Sequence, residues 1–305
     1  MSKRVVIGSV QFGIDYGISN NSGKMDSHSL DSLANYMSEF GICEFDTASS
    51  YGKSEALIGK HFIQNANFLN TKVVTKFSLD KHYELGDIER LLKISLNNLQ
   101  VKTLFGLLVH RFNDYKSYPE LMNELLKLRL QGLIENIGFS IYSTEELDII
   151  LENKLDINII QFPFNIFDKR FERYFDELAS RNIKIYARSI FMQGLVFLDL
   201  NQINQNLPAA SKYLKFLKNI SDNYRFSILS ICFNYVFLKS KIDKLIIGID
   251  NPLHLKKIIQ TVNDFDKSHN IFKELDEFKT KKDDLHLIMS ALSKIQLERQ
   301  NRKND

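Results

Sequence analysis

Tryptophan is absent from this 305-residue chain, cysteine occurs twice, and only 4 prolines and 13 glycines punctuate it. Two cysteines, Cys43 and Cys232, cannot build a disulfide framework; both lie in apolar segments and read as buried thiols. So little proline and glycine excludes a low-complexity linker. An excess of one charge is missing too. With 40 basic and 37 acidic residues the net charge is +3, too small a field to gather nucleic acid or an anionic membrane. No apolar run reaches the length of a membrane span. The opening Met-Ser-Lys-Arg-Val-Val enters a strand without the apolar core and cleavage site of a signal peptide. The expectation is a soluble, cytoplasmic protein with no nucleic-acid or membrane partner. The chain is instead rich in core-forming residues: 44% are hydrophobic and 25% charged, as in globular proteins with a large interior. Without tryptophan, any aromatic wall must come from the 23 phenylalanines and 12 tyrosines, most of which belong to the core.

The apolar segments are short and alternate with stretches of helical periodicity. Strands are expected at Val5–Phe12, Cys43–Ala48, Lys72–Phe77, Leu104–Val109, Ile134–Ile141, Ile157–Phe162, Lys184–Ala187 and Lys244–Ile249. Asp26-Ser27 caps a first helix that carries Leu30, Leu33, Ala34, Met37 and Phe40 at helical spacing and stops at Gly41. Further helices are expected over Ser54–Phe62, Gly86–Leu99, Tyr118–Gln131, from Thr144, and over Arg170–Ser180, Ala209–Asn223, Ser227–Leu238 and Pro252–Val262. A last one lies in Asp283–Asp305, with Leu285, Leu287, Ile288, Leu292 and Ile295 as its apolar stripe. Regular alternation implies parallel strands joined by right-handed crossovers. Eight such units favour a closed (β/α)8 barrel, a TIM barrel, as one α/β domain with a core over about 5–262 and a helical extension over about 263–305. An open doubly wound sheet lacks its GxGxxG turn here.

In such a barrel the active site lies at the C-terminal strand ends. Three successive strands end there on polar residues: Asp46 in Glu44-Phe-Asp-Thr-Ala-Ser-Ser-Tyr-Gly52, Lys76 in Lys72-Val-Val-Thr-Lys76, and His110 in Leu107-Leu-Val-His110. Tyr51 follows on the loop after Asp46. An Asp–Lys pair alone reads equally as a structural ion pair, a lone strand-end histidine as a satisfied polar residue, and a lone tyrosine as packing. Their joint arrival at three neighbouring strand ends favours a site. No metal-ligand spacing accompanies them.

The order Asp46-Thr-Ala-x-x-Tyr51-Gly, Thr75-Lys76, Val109-His110, Ile137-Gly-Phe-Ser140, Gln161-x-x-x-Asn165, Gln193-Gly-Leu195 and Ile247-Gly248 resembles the aldo-keto reductase superfamily over roughly Val5–Val262. That resemblance implies reduction of an aldehyde or ketone, a sugar-like one among the candidates, by NADP(H) or NAD(H). Asp46, Tyr51, Lys76 and His110 would be the catalytic tetrad, with Tyr51 as proton donor, its pKa lowered by Lys76. It also implies that Ser140 and Gln161 hold the nicotinamide carboxamide, and that Ser189, Gln193, Gly194 and Leu195 belong to a loop whose amides cover the pyrophosphate. The chain departs from the family pattern at three places. Ile141 stands where asparagine is usual, Arg188 where a tyrosine lies against the nicotinamide, and Gly248 and His254 where a lysine and an arginine clamp the 2′-phosphate. Arg188 then either stacks on the nicotinamide or grips an anionic substrate group, and His254 with Lys256 forms a substitute clamp or an ordinary exposed pair. Tyr16 and Tyr142 are candidates for lining the mouth, and Asn20, Asn21 and Ser22 read equally as hydrogen-bonding groups for a hydroxylated substrate or as a solvated loop. Two other activities are compatible with the resemblance: a nicotinamide-binding redox sensor with little turnover, and an enzyme that recycles a bound cofactor during epimerisation or elimination.

Overall fold

Eight short strands, most of them runs rich in valine, isoleucine and leucine, are largely buried, as parallel sheets covered on both faces require. In this computed structural model residues 2–301 are described, apart from 66–67, 69, 80–83, 202, 204–206, 263 and 267. The strands are β1 (Val5–Gly8), β2 (Glu44–Asp46), β3 (Lys72–Phe77), β4 (Leu104–Val109), β5 (Ile134–Ser140), β6 (Ile159–Pro163), β7 (Lys184–Arg188) and β8 (Lys244–Gly248). They pair in parallel in chain order, and β8 returns to β1 to close the barrel. Val6, Val74, Leu108, Ile159, Tyr186 and Ile246 pack inside it, while the larger apolar cluster fills the space between barrel and helices. At Gly138 β5 and β6 come so close that a Cβ would lie 1.9 Å from the Ile159 carbonyl oxygen.

Several helices begin or end on local signals. The Asp26 carboxylate accepts from Ser29 N–H at 2.8 Å to start the helix Ser27–Phe40, and Gly41 ends it in the left-handed region. Ser143 and Glu146 form a capping box on Thr144–Glu152.

Several expectations are corrected. β1 ends at Gly8 rather than Phe12, because the Ser9 N–H and hydroxyl both donate to the Asp46 carbonyl, at 2.9 and 3.0 Å. Val10–Gly13 then coils into a single helical turn that buries Phe12 on Phe62. The helix after β2 is α-helical only over Ser54–Ile58 and continues as a π turn over Gly59–Ile63. Its Gly59 lies against the next helix's backbone, where a Cβ would sit 2.4 Å from the Asn98 carbonyl oxygen. Two helices, Phe112–Ser117 and Asn270–Glu277, have no counterpart in the sequence reading. Cys43 is exposed, since it alternates with the buried Ile42 and Glu44; Cys232 is buried. In the last helix, Lys282–Asn301, Leu285, Ile288 and Leu292 are buried in the core, but Leu287 is 58% exposed. Among the described residues no helix is long and apolar enough to cross a membrane.

Candidate active site

The loop after β2 carries Tyr51 back across the barrel mouth, and two glycines make its path possible. A Cβ on Gly13 would lie 1.7 Å from the Tyr51 carbonyl oxygen, and Gly52, at φ +58°, faces Gly13 across that contact. Asp46 and Lys76, from adjacent strands, are both buried. Lys76 Nζ donates to both Asp46 carboxylate oxygens at 2.7 Å and to the Thr47 carbonyl at 2.6 Å. An ammonium has three donors. All three are thus used, and none points at the phenol. Lys76 Nζ instead lies 5.4 Å from the Tyr51 ring centroid, acting on it through space. The His110 ring meets that of Tyr51 edge-on at 5.8 Å between centroids, with Nδ1 3.5 Å from the Ser50 hydroxyl. The Tyr51 hydroxyl has no hydrogen-bond partner among the described residues.

Burial dominates the electrostatics. It raises the Tyr51 phenol well above its usual range; Asp46 pushes the same way, and the Arg188 guanidinium opposes them. The sequence reading had Lys76 pull this pKa down. In the folded protein desolvation outweighs any such pull, and the phenol is neutral and protonated. Burial also lowers the Lys76 ammonium, against the attraction of Asp46. His110 is depressed to about 3 by burial and then by the cations Lys76, Arg188 and Arg111, so its imidazole is neutral near pH 7.

These groups open into a cleft of about 600 Å³ that runs from Tyr51 and His110 past the ends of β5–β8 to Asp250, His254 and Lys257. One wall is the loop after β1, with Tyr16, Gly17, Ser19 and Asn20. Asn20 does not face a ligand with its amide. Its Nδ2 donates to the Tyr16 and Gly23 carbonyls and its Oδ1 accepts from Ser22 and Gly23 N–H, which folds the loop on itself.

The family model for the aldo/keto reductases matches residues 4–280. The chain belongs to the aldo/keto reductase family. Members of this family are NAD(P)H-dependent oxidoreductases of small carbonyl compounds. Among curated proteins, the chain is similar to the NADP(+) aldo-keto reductase yakc of Schizosaccharomyces pombe, at 26% identity over 129 residues. The match spans 39% of this chain and 38% of the length of that relative. Among solved structures, a holo aldo-keto reductase from Bacillus halodurans aligns at TM-score 0.72 and 17% identity, covering 92% of this chain and 94% of that one. A glycerol dehydrogenase from Gluconobacter oxydans aligns at 0.69 and 20%, covering 90% of each. A putative aldo-keto reductase from Pseudomona aeruginosa aligns at 0.64 and 20%, covering 85% and 88%.

The residues that the aldo/keto reductase pattern assigns to the cofactor stand as follows. Ser140 donates to Gln161 Oε1 at 3.2 Å and Gln161 Nε2 to Asp46 at 2.7 Å, so both amide ends of Gln161, which lines the cleft, are engaged within the protein. Ser189 and Gln193 have left-handed backbones, and a Cβ on Gly194 would collide with Ser19, so the loop after β7 is folded tightly under the first loop. The amides of Met192 and Gly194 are taken inside that loop by the Ser189 and Phe191 carbonyls and are not free for a phosphate. Leu195 is buried in the core rather than lining the cleft. Gly248 makes room for the Gln11 amide, whose Nε2 would be 2.8 Å from a Cβ there. His254 is bonded to Asp250 at 2.5 Å. Lys256 turns away to the ring of Tyr36, and it is Lys257 that lines the cleft beside His254. The sequence reading missed Lys257 and Gln11; the helical spacing from His254 to Lys257 was the available signal for the first. The buried side-chain oxygens Oε1 of Gln11 and Gln193 and the Nε of Arg188 line this cleft without a hydrogen-bond partner among the described residues. Unsatisfied polar atoms of this kind suit a polar ligand.

Proposed function

We propose that this protein reduces an aldehyde or ketone to an alcohol with NADPH or NADH, with Tyr51 as proton donor. The observation that carries the reading is the Asp46–Lys76 pair under the ring of a tyrosine whose hydroxyl is protonated and unbonded. The unsatisfied side-chain oxygens of Gln11 and Gln193, with Lys257 at the far end of the cleft, are the groups that would hold the dinucleotide. When bound, its reduced nicotinamide supplies a hydride. The carbonyl carbon accepts that hydride, the C=O π pair moves to oxygen, and the oxygen takes the proton of Tyr51. His110, neutral and beside Tyr51, offers one N–H to the same oxygen and orients it. Lys76 and Arg188 stabilise the phenolate left behind, which recovers its proton from solvent. Asp46 keeps the lysine charged and in place.

Loss of nicotinamide absorbance over a panel of aldehydes and ketones tests the reading. We expect turnover by the parent and a fall of about 10²–10⁴-fold in Tyr51→Phe, the range typical of general acid catalysis. Tight cofactor binding with no oxidation across the panel would indicate a cofactor-binding regulatory protein instead.

A further inference from the structure

Arg188 is the one cation at the catalytic end of the cleft without a counterion among the described residues. It ends β7, opposite Pro163 of β6, and lines the same cleft as Tyr51 and His110. Its Cζ lies 4.0 Å from the Tyr142 ring centroid, and Nη2 donates to the Ile141 carbonyl at 3.0 Å. A guanidinium has five N–H donors. Among the described residues that single bond is the only one it makes, and its buried Nε has no acceptor there. No carboxylate of the described residues lies within ion-pair distance, whereas Lys76 is neutralised by Asp46 and His110 is neutral. The catalytic end therefore carries one positive charge in excess. A half-buried charge with open donors is costly unless a ligand supplies the opposite charge. The stack on Tyr142 fixes the plane of the guanidinium and leaves its edge to an anion, the geometry in which arginine binds carboxylate or phosphate oxygens. Tyr16, on the opposite wall, is pushed up to about 12 by burial and adds a hydroxyl donor rather than a negative charge.

We propose that the substrate is a carbonyl compound bearing an anionic group, a carboxylate or a phosphate, and that Arg188 binds that group. The proposal deepens the reductase reading above and rests on it. Catalysis then has its specificity set across the cleft from the proton donor. The phenolate formed at Tyr51 and the anion on the substrate would share the field of one guanidinium.

The test compares matched carbonyls that differ by the anion: succinic semialdehyde against butanal, and glyceraldehyde 3-phosphate against glyceraldehyde. Parent, Arg188→Gln and Arg188→Lys are assayed with saturating cofactor. We expect the parent to favour the anionic member of at least one pair by about 10–100-fold in kcat/KM, the worth of hydrogen bonds to a charged group. The ratio should collapse toward unity in Arg188→Gln, mainly through KM, and recover in part in Arg188→Lys, which keeps the charge but not the fork. Which pair shows the ratio tells carboxylate from phosphate. Succinate and inorganic phosphate are titrated calorimetrically into the cofactor-loaded protein in parallel. Reduction of neutral and anionic members at equal efficiency leaves the reductase standing and overturns the inference. So does a ratio unchanged by Arg188→Gln with weakened cofactor binding. If no carbonyl is reduced, Arg188-dependent binding of either anion keeps the anion site and removes the reductase; no anion binding removes both.

Discussion

At the scale of single residues, the site depends on one ion pair held out of water. Asp46 and Lys76 are each nearly inaccessible, and Gln161 adds a third bond to the carboxylate. Lys76→Met leaves that carboxylate buried and unpaired, which costs roughly 3–5 kcal/mol when one partner of a buried pair is lost. We expect thermal denaturation to show the loss, and Lys76→Met combined with Asp46→Asn to recover much of the stability but none of the activity. A Lys76→Met protein as stable as the parent would falsify the buried-pair account. His110 gives a pH dependence of known sign. Its folded pKa of about 3 lies below the ordinary 6.5 because burial and three cations disfavour the imidazolium. Between those values the unfolded chain binds more protons, so this contribution is complete above about pH 6.5 and is lost as pH falls toward 3. Melting curves across that window should fall less steeply for His110→Asn than for the parent. Equal slopes would mean that His110 is as easily protonated folded as unfolded.

At the scale of elements, the last helix and the first loop act together. From the helix Lys282–Asn301, Gln296 Oε1 accepts from Gly17 N–H at 3.0 Å and Nε2 donates to the Asp15 carbonyl at 2.6 Å. Arg299 reaches the carbonyls of Gly17 and Asn20 from one turn further on. The loop in turn donates from Ile18 N–H to Gln193, on the loop after β7. The wall that carries Tyr16 is therefore held from outside the barrel. Gln296→Ala removes both bonds and takes the partner of the buried Gly17 N–H, at about 1–3 kcal/mol for that group. Amide hydrogen exchange over residues 14–23 should accelerate in this variant while the barrel strands keep their protection. Uniform acceleration across the chain would instead indicate global destabilisation.

At the scale of the whole molecule, eight strands must close a circle, and closure is least forgiving where two backbones nearly touch. Gly138 is that place: the Ile159 carbonyl carbon and oxygen and a methyl of Leu108 all lie within 2.9 Å of where a Cβ would be. Backbone cannot step aside as a side chain can, so overpacking of about 1–3 kcal/mol is a lower bound for Gly138→Ala. A marked drop in melting temperature is expected, with Gly86→Ala as the control, since no atom of the described residues lies within 4 Å of a Cβ there. Equal melting temperatures for the two variants would show that β5 and β6 have slack.

The amino-acid order alone determined the barrel, because eight apolar segments alternating with amphipathic ones leave few other ways to bury both faces of a parallel sheet. It also determined which side chains stand at the strand ends, since β3 and β4 end where their apolar runs end. What it could not determine depends on groups far apart in the chain. The helix Asn270–Glu277 is closed by Lys169, which donates to the carbonyls of Leu275, Asp276 and Phe278 from more than 100 residues away. No local signal announces such a cap. The early end of β1 follows from Ser9 meeting Asp46, and the exposure of Cys43 from which face of β2 turns outward. Asn20, for which the sequence left a ligand contact and a solvated loop equally open, folds its own loop, and Lys257 rather than Lys256 turns to the cleft. The state of Tyr51 belongs to the same class. Residue identities place a phenol near an ammonium, but only the tertiary structure fixes the balance between attraction and desolvation, and here desolvation wins.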